Sequence, residues 1–202
     1  MNPNLALAHA GFGENLATRG KIEEALGEFR RALQLAPFDI TVNSGMTEGL
    51  LWARQYDQVI EQGRKGNELF PHVLGGLIGQ AYEQKGDSQH ALSERQEMTK
   101  NWPAAAATLA DLAHVYAVFG KQEASRLLAE MTELSRRKDL DSFNFALVYS
   151  GMGDKDRAFQ WLDKACDERS RALPWITADP RMDSLRSDPR YRKLLLRMGL
   201  PE

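Results

Sequence analysis

The side chains that could do chemistry in this 202-residue sequence are scattered rather than grouped. No histidine among His9, His72, His90 and His114 lies three or four residues from another histidine or a cysteine, the spacing that places two metal ligands on one helix face. Cys166 is the single cysteine, which excludes an internal disulfide and a thiolate cluster. Metalloprotease, phosphate-loop and nucleophile-elbow motifs are absent. We therefore expect no enzymatic activity, no catalytic residues, no metal site and no cofactor.

The charges are mixed, with a formal net charge of −2 and 27% charged residues. Such a surface gives no overall electrostatic case for nucleic acid or an anionic membrane, and no apolar run reaches the ~18 residues of a spanning helix. A local exception lies near the C-terminus, in residues 181–197. Its six cations and two carboxylates are Arg181, Arg186, Arg190, Arg192, Lys193 and Arg197 against Asp183 and Asp188. We favour the solvent face of a capping helix there over a contact with nucleic acid.

The elements that must position these side chains are helices, and the clearest are in the stretch Leu147–Ala165. Tyr149 closes one helix, Gly153 can take the left-handed conformation that ends it, and Asp154 can cap the next. Similar stretches recur upstream. Prolines punctuate the chain at a nearly constant step, at Pro3, Pro37, Pro71 and Pro103. A period of this size, roughly 34 residues, indicates a helical repeat array.

The residues between the prolines carry the same pattern in phase. Before Pro37 stand Gly20, Ala25, Phe29 and Ala32, at the turn and second-helix positions of one repeat unit. This pattern resembles the tetratricopeptide repeat (TPR) family. The resemblance implies an all-α, right-handed superhelix of about five helix pairs. The array covers residues 1–166, with units at about 6–39, 40–71, 72–105, 106–138 and 139–166, and capping helices follow in residues 167–202.

The second unit departs from the pattern, since Gly63 and Gly66 stand where a large residue and alanine are usual. Glycine inside a helix costs about 1 kcal/mol relative to alanine, so we expect a soft joint here. At the other end of the array, Pro3 has the same phase as Pro37. We interpret the chain as the C-terminal part of a longer protein, with a natural start as the alternative. The tail resembles that of tetratricopeptide arrays at the C-terminus of bacterial signalling proteins, which implies the same place for this array.

In TPR proteins the first helices of successive repeats line a concave groove that holds a peptide. The matching positions in this sequence are Glu14, Glu48, Leu51, Trp52, Gln80, Glu83, His114, Val118, Phe143 and Leu147. This column changes from acidic to apolar, which predicts a partner segment with basic and apolar character. The family's clamp for chaperone C-termini needs cations and amides. The chain has Ala10, Glu14, Gly45, Val73 and Leu77 at those positions, so no clamp is expected.

The resemblance thus implies a cytoplasmic scaffold or regulatory module that binds a protein or peptide in its groove. Self-association is the alternative, because Leu5 and Leu7 leave an apolar face at the start of the array. Contact with nucleic acid through the basic C-terminal segment is a lower alternative. A hydrolase or transferase built from scattered acids would need a metal-binding or turnover signal that nothing in the sequence anticipates.

Overall fold

The structure is a computed structural model that describes residues 3–102, 106–120, 122–135 and 140–200. All regular elements in these ranges are helical, which confirms the all-α prediction. Ten α-helices come first: α1 Pro3–Thr18, α2 Ile22–Leu35, α3 Ile40–Trp52, α4 Tyr56–Leu69, α5 Gly75–Gln84, α6 Ser88–Asn101, α7 Ala106–Val118, α8 Glu123–Ser135, α9 Ser142–Gly151 and α10 Lys155–Asp167. Two 3-10 helices, Leu173–Thr177 and Pro180–Leu185, precede α11, Pro189–Met198. Within the ranges just given, no helix is long and apolar enough to cross a membrane.

Successive helices form the predicted pairs because the turns between them carry the predicted residues. Gly20, Gly86, Gly120 and Gly153 all have φ between +65° and +77°, which glycine adopts without steric cost. Asp154 caps α10 by accepting a hydrogen bond from the Arg157 N–H at 3.0 Å, as expected. Within unit 1, α1 packs on α2 and α3, and α3 packs on α4 and α5; within unit 2, α7 packs on α8 and α9. This stacking is that of a helix-pair solenoid.

Contacts divide the described chain into two compact units. Unit 1 contains the described residues up to Glu94 together with Thr177–Pro180, and unit 2 contains those in Arg95–Ile176 and from Arg181 onward. The boundary within the repeats therefore falls inside α6. The predicted repeat junction at residues 138 and 139 lies outside the described residues, as does Pro103.

The core of unit 1 is organised around the ring of Phe29, which is fully buried in α2. Three glycines make room for it. A Cβ added at Gly49 would lie 2.6 Å from the ring, and one at Gly13 or Gly45 would lie 3.0 or 3.1 Å from it. The ring of Trp52 lies 6.0 Å away, centroid to centroid. Phe29 thus packs α2 against both α1 and α3.

The second repeat reverses this arrangement of large and small residues. Gly63 and Gly66, the glycines of α4 for which we expected a soft joint, are packed by side chains of the following repeat. A Cβ at Gly63 would lie 2.6 Å from Cγ1 of Ile78, and one at Gly66 would overlap Leu74. Ile78 and Leu74 are themselves buried. The glycines therefore allow α5 to approach α4 closely.

Gly63→Ala is expected to destabilise unit 1 although alanine is the better helix former. Overpacking a buried site costs about 1–3 kcal/mol, and the β-branched Ile78 has little freedom to move. Gly27→Ala in α2 is the matched control, because a Cβ there meets nothing within 4 Å. We expect the control to gain up to ~1 kcal/mol from helix propensity. Urea unfolding of both variants measures the difference, and equal stabilities would show that the contact at Gly63 is slack.

The core of unit 2 is built jointly by the last helix pair and the C-terminal segment. Its buried members from that segment are Leu173, Ile176, Met182, Leu185, Tyr191, Leu194 and Leu195. Asp188 caps α11 by accepting from the Arg190 N–H at 3.0 Å, and Gly199, at φ +68°, ends it. An aspartate before a proline and a glycine after the last helical turn are the sequence signals for these two ends. The hydroxyl of Tyr191 donates to the Ile176 carbonyl at 2.8 Å, which ties α11 to the first 3-10 helix.

Candidate protein-binding surface

Glu14 of α1 and Glu48 of α3 form an acidic pair in unit 1. Both are half-buried and occupy equivalent positions of successive repeats. Burial raises the pKa of Glu48 to about 7, and the nearby charge of Glu14 adds to the shift. Within the described part of the chain, no basic side chain pairs with either carboxylate. Because its pKa is about 7, Glu48 is only partly ionised near neutral pH and becomes fully negative at higher pH.

Four further residues predicted for the groove lie in unit 1, and all four are buried. They are Leu51, Trp52, Gln80 and Glu83. Trp52 is only 7% exposed and packs against Phe29. It is therefore a core residue in this structure rather than an aromatic side chain open to a ligand.

A short piece of the C-terminal segment, residues 177–180, lies across the C-terminal ends of the first helices in unit 1. Three hydrogen bonds hold it: Thr177 Oγ1 donates to the Thr18 carbonyl at 3.1 Å, Arg54 Nη1 to the Ala178 carbonyl at 2.7 Å, and Gln80 Nε2 to Asp179 Oδ1 at 3.0 Å. These bonds come from the end of α1, the turn after α3 and the middle of α5, in chain order. The segment thus contacts three successive repeats in chain order.

Arg54 has an unusual backbone that the sequence could have signalled. It stands one repeat after Gly20, at the turn position where the other repeats have glycine, and its φ is +59°. A side chain in this conformation costs of order 1 kcal/mol or more. The guanidinium donates to the carbonyls of Trp52 and Ala178, interactions that glycine would lack. An arginine in place of a turn glycine was the available signal for a tertiary contact.

In unit 2 the predicted groove residues are also mostly buried. His114 is buried against Gly151, whose added Cβ would lie 3.0 Å from the imidazole. Phe143 and Leu147 belong to the core cluster that the C-terminal segment completes. Val118 is the exception, with 42% of its surface exposed.

Polar contacts in unit 2 hold the start of the second 3-10 helix against the first helices. Arg181 pairs with Asp111 of α7 at 2.6 Å, and the Ser150 hydroxyl of α9 donates to the Arg181 carbonyl at 3.2 Å. Arg95, which is buried, shares Asp111 at 3.0 Å. No role was predicted for Asp111, Ser150 or Arg95 from the sequence. Their types gave no signal, since each is common on exposed helix faces.

The basic C-terminal segment carries much of its charge in ion pairs. Arg190 pairs with Asp156 and Asp188 at 2.7 and 2.8 Å, and Arg186 pairs with Asp183 at 2.6 Å. Arg197 pairs with Asp163 at 3.3 Å and with Asp167. A phosphate group would have to compete with these carboxylates.

Part of the first-helix surface of unit 1 remains exposed at its N-terminal end. Leu7, Thr41 and Val73 occupy equivalent repeat positions there, and Leu7 and Val73 are 43% and 41% exposed. Leu7 lies on the same face of α1 as Glu14, two helical turns away, whereas Val73 lies in the turn that precedes α5.

For metal binding, the described ranges contain no group of three His, Cys, Asp or Glu side chains placed to share an ion.

The comparisons with known proteins agree with the helix-pair fold. A sequence profile described as tetratricopeptide repeat matches residues 142–170. TTC0263, a thermophilic TPR protein of Thermus thermophilus, has a similar solved structure, with a TM-score of 0.66 at 21% identity over 95% of this chain and 99% of that one. The MamA protein structure is also similar, with a TM-score of 0.51 at 16% identity over 85% and 95%. No curated protein sequence matches significantly. The chain therefore carries a tetratricopeptide repeat at residues 142–170 within the helix-pair fold of TPR proteins.

Proposed function

We propose that the chain is a protein-interaction scaffold that binds a basic and apolar segment of its partner at the acidic pair. The TPR fold suggests a scaffold for protein–protein interactions, and proteins of this type are generally non-catalytic. The observation that supports the specific site is the acidic pair itself. Glu14 and Glu48 are half-buried on neighbouring first helices, and no described cation pairs with them.

Partial burial destabilises the ionised forms of the two carboxylates. A half-buried carboxylate without a counter-ion is less stable than a solvated one, which is why the pKa of Glu48 reaches about 7. A lysine or arginine of a partner would neutralise the pair and recover this free energy on binding. Binding a cation favours the ionised form of Glu48, so the affinity should rise between pH 6 and pH 8.

The apolar part of the partner would lie on the exposed surface beside the acidic pair. Leu7 and Val73 offer this surface in unit 1, whereas the C-terminal ends of the same helices are covered by residues 177–180. The bound segment is thus confined to the N-terminal half of the predicted groove. This restriction predicts a short recognition motif with a single cation.

The test is an array of capped 15-residue peptides in which one arginine is flanked by varied apolar residues. The tightest binder is remade with citrulline, which keeps the shape of arginine and removes its charge. We expect the citrulline peptide to bind about tenfold or more weakly, because a half-buried ion pair is lost. The double variant Glu14→Gln/Glu48→Gln should lose the same factor, measured by calorimetry at pH 8.

The control is the double variant Glu23→Gln/Glu68→Gln, which removes two exposed carboxylates from α2 and α4 of the same unit. It should bind the arginine peptide as the wild type does. An array without any binder, or binders indifferent to both citrulline and the acidic-pair variant, would rule out the site. Trp52→Ala is not suitable as a probe, since it would also remove a core contact of Phe29.

A further inference from the structure

The outer face of α1 has a counterpart elsewhere in the chain whose packing is known. Because α1 and α3 are the first helices of successive repeats, each α1 position corresponds to the α3 position one repeat later. On α3, the residues Val42, Gly45, Met46, Gly49 and Trp52 are all buried, and α2 packs against this helix. Their α1 counterparts are Ala8, Gly11, Phe12, Asn15 and Thr18. Of these counterparts the first four are exposed, with Phe12 at 53%.

Gly45 of α3 and Gly11 of α1, which occupy equivalent positions, differ in the space beside them. A Cβ added at Gly45 would lie 3.1 Å from the Phe29 ring, because α2 inserts that ring beside the glycine. A Cβ added at Gly11 would meet nothing within 4 Å. Among the described residues, none fills at α1 the space that an aromatic ring fills at α3. Leu5, 49% exposed, extends the same apolar stripe towards the start of α1.

The charge at the end of the stripe indicates which helix would fit. Arg19, exposed just after α1, is the charged residue that continues the series Leu5, Ala8, Phe12 and Asn15 at helical spacing. A helix that packs on α1 in the antiparallel sense would place its N-terminal turn near Arg19. Acidic residues in that turn would be stabilised both by Arg19 and by their own helix dipole. The helix α2, which packs on the equivalent face of α3, has Glu23 and Glu24 in its first turn.

We propose that the face formed by Leu5, Ala8, Gly11, Phe12 and Asn15, the α1 seat, docks an amphipathic helix of a partner protein. That helix carries a leucine and, three residues later, an aromatic residue, as α2 does with Leu26 and Phe29, and its first turn is acidic. The aromatic ring enters the space beside Gly11. This surface is separate from the acidic pair, so the chain has two binding sites.

The probe is a capped peptide of residues 21–37 of this chain, which contains α2. It is titrated into the isotope-labelled full-length protein, and amide shifts are followed by NMR. We expect shifts at Gly11, Phe12 and Asn15. Replacing Phe29 of the peptide by alanine should weaken binding at least about tenfold, because a buried aromatic anchor commonly carries that much.

Gly11→Leu in the protein should also weaken binding at least about tenfold, since its side chain fills the space for the ring. This variant keeps the fold, because the site is open and leucine is a better helix former than glycine. Phe12→Ser provides a second variant at an exposed position and should weaken binding too. An unchanged melting temperature in both variants shows that the loss is local.

Several results would overturn the proposal. Equal binding to Gly11→Leu, indifference to the peptide's aromatic ring, or shifts at Gly45 and Gly49 instead of Gly11 would each do so. The last result would mean that the peptide replaces α2 in its own place. Light scattering adds a further arm: concentration-dependent self-association that Gly11→Leu abolishes would identify a second copy of the chain as the occupant.

Discussion

Phe29→Ala is expected to lower the free energy of unfolding of unit 1 by about 3–5 kcal/mol, the range measured for large-to-small changes in well-packed cores. The ring is fully buried and is surrounded by Gly13, Gly45 and Gly49. Glycines have no side chains that could move into the vacated space, so the cavity cannot collapse without backbone movement. Urea unfolding followed by circular dichroism measures the loss.

Phe38→Ala is the matched control for that prediction. Phe38 is the same residue type only nine positions away, yet it lies in the turn after α2 and is 77% exposed. Its removal should change stability by less than about 0.5 kcal/mol. If Phe29→Ala lost no more than Phe38→Ala, the interlocking of α1, α2 and α3 described above would be wrong.

Glu48→Gln is expected to make the protein more stable than the wild type above pH 7 and about equally stable near pH 5. The folded-state pKa of Glu48, about 7, is raised above the reference value of 4.5. Between these values the folded state binds more protons than the unfolded state, so wild-type stability falls as the pH rises. A shift of this size corresponds to about 3 kcal/mol at most. The neutral amide of glutamine removes this dependence.

The measurement is the difference in unfolding free energy between Glu48→Gln and the wild type at several pH values from 5 to 8. Taking the difference cancels the other titrating groups. Glu68→Gln, which removes an exposed carboxylate from the same unit, is the matched control. Glu14→Gln should lower the pKa of Glu48 only in part, since the charge of Glu14 is the smaller cause of its raised value. The pH dependence due to Glu48 should therefore become weaker but not disappear. A flat difference for Glu48→Gln would show that its carboxylate is solvated in the folded state.

The local features of the fold were predictable because each depends on a few neighbouring residues. A glycine that permits positive φ, followed by an aspartate that caps the next helix, specifies the turn at Gly153 and Asp154 without reference to the rest of the chain. Asp188 and Gly199 delimit α11 in the same way. Once one helix pair was clear, the repeat period predicted where the other helix pairs lie.

The position of the C-terminal segment was not predictable by the same reasoning. The sequence indicated helices after residue 166 that cap the array, but residues 177–180 lie on the first helices of unit 1. The contacts that place them join residues far apart, such as Gln80 and Asp179, which are 99 positions apart. Helical periodicity shows which face of α3 is apolar, but it does not show which distant segment covers that face.

The sequence by itself determined the helices, their turns and their repetition, because those follow from backbone conformation and from side chains a few positions apart. Tertiary structure alone decided which of the positions predicted for the groove stay open. It buried Leu51, Trp52, Phe143 and Leu147, and it left Glu14 and Glu48 half-buried on neighbouring first helices, where the charge of Glu14 acts on Glu48. The physical reason is that exposure and charge at a site depend on every segment packed around it, and those segments come from distant parts of the chain.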